Sequence, residues 1–203
     1  MTPDRATAVS AIVLAGGRSS RFGSDKLAAT IDGMTLLDRA IAALDAVASE
    51  IVVVVAPGDR RAPTPLSRPL RIVADHESYA GPLVGLLVGL ETVAEPLVIV
   101  AAGDMPALRP DVLRLMTGTL RTAEPGVDAV VLGSRGDVVP LPAALRVGAA
   151  TDVARRLIGD GERRLRTLFD RLSTRVLADG EWRPLDPSGD TLRDVDRQED
   201  VSG

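Results

Sequence analysis

There is no cysteine among the 203 residues, so disulfides, thiolate metal sites and cysteine nucleophiles are excluded, and a reducing, cytoplasmic setting is expected. Histidine is nearly absent: His76 is the only one, and no catalytic role falls to it. An excess of positive charge is missing too, since 24 basic and 28 acidic residues leave a net charge of −4. Without a global positive field, neither nucleic acid nor an anionic membrane is an expected partner, and a small polar molecule is. Residues 1–10 carry Asp4 and Arg5 and no apolar stretch of signal-peptide length, and the apolar segment 82–93 is too short to cross a bilayer. Repeats and low-complexity tracts are lacking, and only the end beyond Asp200 is expected to fray.

What is present is enough apolar material, 45% of residues, to bury one good core, so one domain over 1–203 is the expectation. Residues 11–15 form a short apolar run that stops at Gly16-Gly17, which reads as a buried strand delivering its carboxyl end into a loop. Thr35 is placed to cap a helix whose apolar positions Leu37, Ala40, Ile41, Leu44, Val47 and Ala48 recur at helical spacing. Strands follow at 51–56 and 70–74, the second ending at Asp75, with a proline-rich loop at 62–69 between them. Pro82 suits the first turn of a helix over 83–93 that is apolar on most sides and so belongs in the interior. A strand at 97–102 ends at Gly103-Asp104, a helix runs from Pro110 to about Leu120, and a strand covers 129–132. Two short helices at 152–158 and 162–172, parted by Gly159 and Gly161, precede strands at 174–177 and 192–195. This alternation predicts an α/β fold, a Rossmann-like and mostly parallel sheet with helices on both faces.

The most informative stretch is 14–26, LAGGRSSRFGSDK. Its three glycines let the backbone approach a phosphate chain, and Arg18, Arg21 and Lys26 can neutralise it. It is not a P-loop, because no Gly-Lys-Ser/Thr closes it, and not the G-x-G-x-x-G fingerprint, because Arg18 follows Gly16-Gly17. On composition alone a glycine-rich turn with solvated arginines fits as well. Asp104 and Asp75 likewise have two readings each, a turn residue at a strand end or a functional carboxylate. Lys26 has little apolar surface to cover in a glycine loop, so it is expected to serve a ligand and not the fold.

These residues resemble the molybdenum cofactor guanylyltransferases, within the nucleotidyltransferase superfamily. The signature L-A-G-G-x-S-x-R-x-G-x-D-K stands unbroken at 14–26, and the double glycine is similar to the guanylyl branch, where cytidylyl relatives usually have Ala-Ala-Gly. Further blocks follow in order: Asp75 with Gly81-Pro82-Leu83-Val84-Gly85, then Gly103-Asp104-Met105-Pro106, then residues 140–145, PLPAAL. Residues 161–165, GERRL, resemble a block before the family's last helix.

The resemblance implies a nucleotidyltransferase-type fold, with a nucleotide-binding part over about 9–107 and an acceptor-binding part over about 108–203. The implied reaction is attack by the terminal phosphate of molybdopterin cofactor on the α-phosphorus of GTP, giving the guanine dinucleotide form and pyrophosphate, with Mg²⁺ as cofactor. A molybdoenzyme or a cofactor-carrier protein is an implied protein partner. Leu14, Ala15, Gly16 and Gly17 would line the nucleotide pocket with Arg18, Lys26, Asp75 and Asp104; Arg21, Lys26 and Asp104 would act in catalysis; Asp104 and Asp196 would hold the metal. The types suit phosphoryl transfer, in which protein groups position and neutralise charge and no nucleophilic side chain is needed.

One block departs from the family. Its usual Asn-x-Asn-Thr-Pro-Glu-Asp-Leu reads here as residues 194–201, DVDRQEDV. Acids at 194 and 196 would strengthen cation binding and repel an anionic acceptor phosphate, which leaves the acceptor more open than the donor. Two alternatives remain: the same chemistry with CTP or another phosphorylated acceptor, and a nucleotide-binding module without catalysis. Retention of Lys26 and Asp104 speaks against the second.

Overall fold

The computed structural model describes residues 8–16, 26–59, 68–75 and 81–195. β1 (Ser10–Leu14) is buried along nearly its whole length. After a 3₁₀ turn at Lys26–Ala28 comes a small hairpin, β2 (Thr30–Ile31) and β3 (Met34–Thr35). Its Asp32-Gly33 turn holds both residues at positive φ, the geometry a two-residue hairpin requires. The hairpin leads into α1 (Leu36–Asp45), where Thr35 is the N-cap, its Oγ accepting the Asp38 N–H at 3.0 Å.

The chain continues through β4 (Glu50–Val55), β5 (Leu70–Ala74), α2 (Pro82–Thr92), β6 (Leu97–Ala102) and α3 (Pro110–Thr122). It ends in β7 (Ala129–Ser134), β8 (Asp137–Arg146), α4 (Val147–Gly159), α5 (Leu165–Arg171), β9 (Thr174–Leu177) and the single turn α6 (Asp179–Trp182). The order across the main sheet is β5-β4-β1-β6-β8-β7-β9, parallel except where β8 pairs with β6 and β7.

Alternation along the strands divides the core. Val13, Ile51, Val53, Ile99 and Val130 face α1, α3 and Trp182, whereas Ile12, Val52, Val98, Val100 and Val131 face α2, α4 and α5. Both faces of the sheet are therefore covered. Among the described residues no helix is long and apolar enough to cross a membrane.

Several features differ from the pattern read in the sequence, among them the unforeseen β2–β3 hairpin and a helix α4 that starts at Val147 and not at 152. β8 was not foreseen, because Pro140 and Pro142 argue against a central strand. The pairing shows how they are tolerated: Val131 pairs with Ala143 and Leu132 with Val139, so residues 140–142 bulge out of the ladder. The expected strand at 192–195 is a correction: the Asp186 carboxylate, 1% exposed, accepts the N–H groups of Asp190 and Thr191. That curls the chain into a 3₁₀ turn at Asp190–Leu192 and an irregular tail. The helix expected from 162 starts at Leu165 instead, because the Glu162 side chain binds backbone N–H groups ahead of it.

Candidate functional site

β1, β4, β5 and β6 run parallel, so the loops after Leu14, Val55, Ala74 and Ala102 leave from one edge of the sheet. Three backbone bonds stitch that edge: Ala15 N–H to the Val54 carbonyl at 2.8 Å, Gly103 N–H to Leu14 at 3.0 Å and Asp75 N–H to Val55 at 2.9 Å. β1 is the strand from which the chain order departs in both directions, toward β4 on one side and β6 on the other. Such a switch point leaves a crevice at the carboxyl edge of an open α/β sheet.

A cleft of about 290 Å³ occupies it, near the lower end for small-molecule sites. One wall is Leu14, Gly16 and residues 54–57; the other is Gly81, Pro82 and Gly85, with Asp75 between. The lining is mainly backbone and small apolar groups, which suits a flat ring, and Asp75 brings a carboxylate. Leu14, Gly16 and Asp75 thus line one cleft. Ala15 does not line the cleft; its side chain is buried and its N–H is used by Val54.

A second pair of expected residues also meets. Lys26 Nζ lies 2.9 Å from Asp104 Oδ2, with the two side chains 13% and 27% exposed. The path to this pair runs through Gly103: a methyl group there would stand 3.1 Å from Leu37 Cδ1 and 3.3 Å from Leu27 Cδ2. Leu27 therefore packs over the Gly103 backbone, and its neighbour Lys26 is carried to Asp104. Lys26, expected to serve a ligand, is mostly enclosed and ion-paired with Asp104.

The irregular tail closes the other side. Val195, 5% exposed, packs on Leu36 and donates its N–H to the Asp104 carbonyl at 3.1 Å. Asp194 is therefore adjacent to Asp104 along the backbone, and it is exposed. Gly17, Arg18, Arg21 and Asp196 lie outside the described residues, as does His76.

Among the described residues no group of three or more His, Cys, Asp or Glu could hold a metal by itself. Asp104 nonetheless fits Mg²⁺, a hard cation that commonly takes one or two carboxylates and completes its shell with water and substrate phosphate oxygens.

Sequence reading missed the second wall of the cleft. Gly81, Pro82 and Gly85 were legible as a block but not as a site, and Ala56-Pro57 carried no signal except their place just past a strand end.

A family model described as MobA-like NTP transferase domain matches residues 11–176. A "Probable molybdenum cofactor guanylyltransferase" of Chloroflexus aggregans is 34% identical, the match covering 95% of this chain and 91% of that one. Among solved structures, molybdopterin-guanine dinucleotide biosynthesis protein A from Archaeoglobus fulgidus superposes with a TM-score of 0.78 at 21% identity, covering 96% and 95% of the two chains. The 4-diphosphocytidyl-2C-methyl-D-erythritol synthase of Anaerococcus prevotii does so with a TM-score of 0.72 at 14% identity, covering 97% and 94%. At these identities the two structures bear on the fold alone.

Proposed function

The chain belongs to the MobA-like NTP transferase family, and on that footing we propose that it transfers GMP from GTP to molybdopterin cofactor, releasing pyrophosphate. The observation that carries this reading is the shared strand edge, with a small apolar cleft bearing Asp75 beside the Lys26–Asp104 pair. The cleft would take the guanine through Leu14, Gly16 and Asp75, with Ala15 beneath them. The triphosphate would then extend toward Lys26. Arg18 and Arg21 follow Gly16-Gly17 in sequence, and their charge suits the phosphates.

In this reading the acceptor's terminal phosphate oxygen forms a bond to the α-phosphorus while the bond from the α-phosphorus to the bridging oxygen of pyrophosphate breaks. Charge grows on the leaving oxygens, and Lys26 would offset it. Asp104 and, from the tail, Asp196 are the residues we assign to hold Mg²⁺, which when bound neutralises phosphate charge. We further assign donor binding to about 9–107 and acceptor binding to about 108–203, within one domain. A cytoplasmic setting and a molybdoenzyme or carrier protein as recipient complete the proposal.

A second reading is the same chemistry with CTP as donor, which a cleft lined mainly by backbone and small apolar groups leaves open. Pyrophosphate release measured with GTP, CTP and ATP, with and without molybdopterin and with Mg²⁺ titrated, separates the readings. The proposal expects release only with GTP, metal and acceptor together. Release with CTP selects the second reading, and triphosphate binding without release under any condition overturns both in favour of a binding module.

A further inference from the structure

The GERRL block at 161–165 has no place in the chemistry above, yet it touches the cleft. α2 begins at the cleft wall with Gly81 as N-cap and no side-chain cap. A helix start leaves N–H groups without partners. Pro82 has none to offer, and the Leu83 N–H goes to the carbonyl of Arg163 at 3.2 Å, a residue 80 positions away in sequence. The contact is close: a Cβ on Gly81 would stand 2.8 Å from Arg163 Cβ and 3.0 Å from its carbonyl oxygen. Gly81 also has φ of +102°, so only glycine satisfies both the backbone and the approach.

What aims that carbonyl is Glu162. The carbonyl of Arg163 and the N–H of Arg164 belong to one planar peptide group. Glu162 Oε1 accepts that Arg164 N–H at 3.0 Å and the preceding Arg163 N–H at 2.8 Å. Oε2 accepts the Thr167 hydroxyl at 2.7 Å and Arg164 Nη2 at 2.9 Å. The Arg163 guanidinium turns the other way, onto the carbonyls of Ile158 and Glu162 at 3.0 and 2.9 Å. Leu83, Leu165 and Leu168 then share one core cluster beneath the contact.

We propose that Glu162 is a positioning residue of the nucleotide cleft: by fixing the Arg163–Arg164 peptide plane it directs the Arg163 carbonyl onto the first turn of α2 and so sets the wall made by Gly81, Pro82 and Gly85. The acceptor-side half of the chain thereby shapes the donor pocket. The part of this inference that concerns nucleotide rests on the reading of the cleft as the GTP site.

Two measurements test it separately. Hydrogen exchange at the Leu83 amide in nucleotide-free protein reads the brace itself, and the Kd for GTP with the KM and kcat reads its consequence. For Glu162→Ala, exchange at Leu83 should quicken, and Kd and KM should rise about tenfold, the scale of one lost hydrogen bond, with kcat little changed. Glu162→Gln keeps an oxygen for both N–H groups and should restore most of the affinity. Arg164→Ala keeps both amides and should bind GTP like the parent. If Glu162→Ala does not fold, Gly81→Ala decides, since its methyl group must push on Arg163 and should raise KM in the same way.

Parent-like exchange at Leu83 and parent-like Kd in folded Glu162→Ala overturn the proposal. So does an Arg164→Ala as damaging as Glu162→Ala, or a Gly81→Ala with unaltered KM. A parent protein that binds no GTP while Glu162→Ala still loosens Leu83 refutes the reading of the cleft and leaves the brace standing.

Discussion

The two ends of the same strands are built on opposite plans. At the amino end of β1 and β4, Ser10 donates to Glu50 at 2.6 Å, Arg71 donates to Glu50 at 2.6 Å and to the Thr92 carbonyl at 2.7 Å, and the Ala94 and Glu95 N–H groups reach Glu50 and Ser10. These polar groups pair with one another across 21 to 85 residues of chain. At the carboxyl end the same strands open into a cleft walled by Leu14, Gly16 and Gly85, with charge concentrated in the Lys26–Asp104 pair. The difference sets an end whose polar groups pair among themselves against an end whose cleft and ion pair we assign to the nucleotide. Substitutions at the two ends should therefore separate cleanly into losses of stability and losses of turnover.

The largest effect is expected at the open end. Asp104→Asn keeps the shape and removes the charge, and turnover at saturating GTP over a Mg²⁺ titration should fall ~10²-fold or more, the scale of losing one electrostatic stabiliser. The Tm should hardly move. Near-normal turnover in a folded Asp104→Asn protein sinks its metal assignment and shifts it to Asp75, Asp194 or Asp196.

Next comes the closed end. Glu50→Ala strips partners from Ser10, which is fully buried, and should cost about 1–3 kcal/mol, as removing one side of a buried hydrogen-bonded pair does. At this size each kcal/mol lowers Tm by roughly 2–4 °C. Turnover well below the Tm should match the parent, and a loss of kcat there would mean that the two ends are coupled.

The same carboxylate gives a pH test. Burial pushes Glu50 up, but the Ser10 hydroxyl, the Ala94 N–H and the Arg71 guanidinium outweigh it and hold the group below its ordinary 4.5. A depressed folded value means the stabilisation is fully present above the unfolded value and is lost as pH falls through the folded one. The stability gap between the parent and Glu50→Gln should thus be flat from pH 6 to 8 and shrink below about pH 4.5. A gap that grows on acidification contradicts the assignment.

How much of this was legible in the sequence follows from the range over which each signal acts. β1, β4 and β6 were readable because a buried parallel strand is a continuous apolar run, and β5, an edge strand with Arg71 inside it, was readable from Leu70, Ile72 and Val73; Gly16, Asp75 and Asp104 were readable as site candidates because they stand just past strand ends. Thr35 and Pro82 marked their helix starts by local chemistry. β8 was hidden because Pro140 and Pro142 mimic a loop, and their bulge exists only against β7. The tail at 192–195 has the apolar residues of a strand, yet Asp186 curls it. The contact of Arg163 with Leu83 joins two blocks each visible in sequence, but nothing local reports that they touch.

The smallest effect concerns the stability contribution of the Lys26–Asp104 pair, and it is the sharpest test of the two-ended plan. A pair enclosed to this degree, 13% and 27% exposed, could belong to either plan. If it held the fold, it would behave like the network at Glu50, and breaking one side would leave a costly unpaired charge. If instead it is a resting contact between two ligand-facing groups, both retain access to water once separated, and the coupling should resemble that of exposed pairs, under about 1 kcal/mol. A double-mutant cycle of Lys26→Met and Asp104→Asn, followed by urea unfolding without nucleotide or metal, isolates that coupling. We expect Lys26→Met to stay within about 1 kcal/mol of the parent while binding GTP more weakly. A coupling above about 3 kcal/mol, the range of a broken buried pair, would make Lys26 a structural residue and end its assignment to the triphosphate.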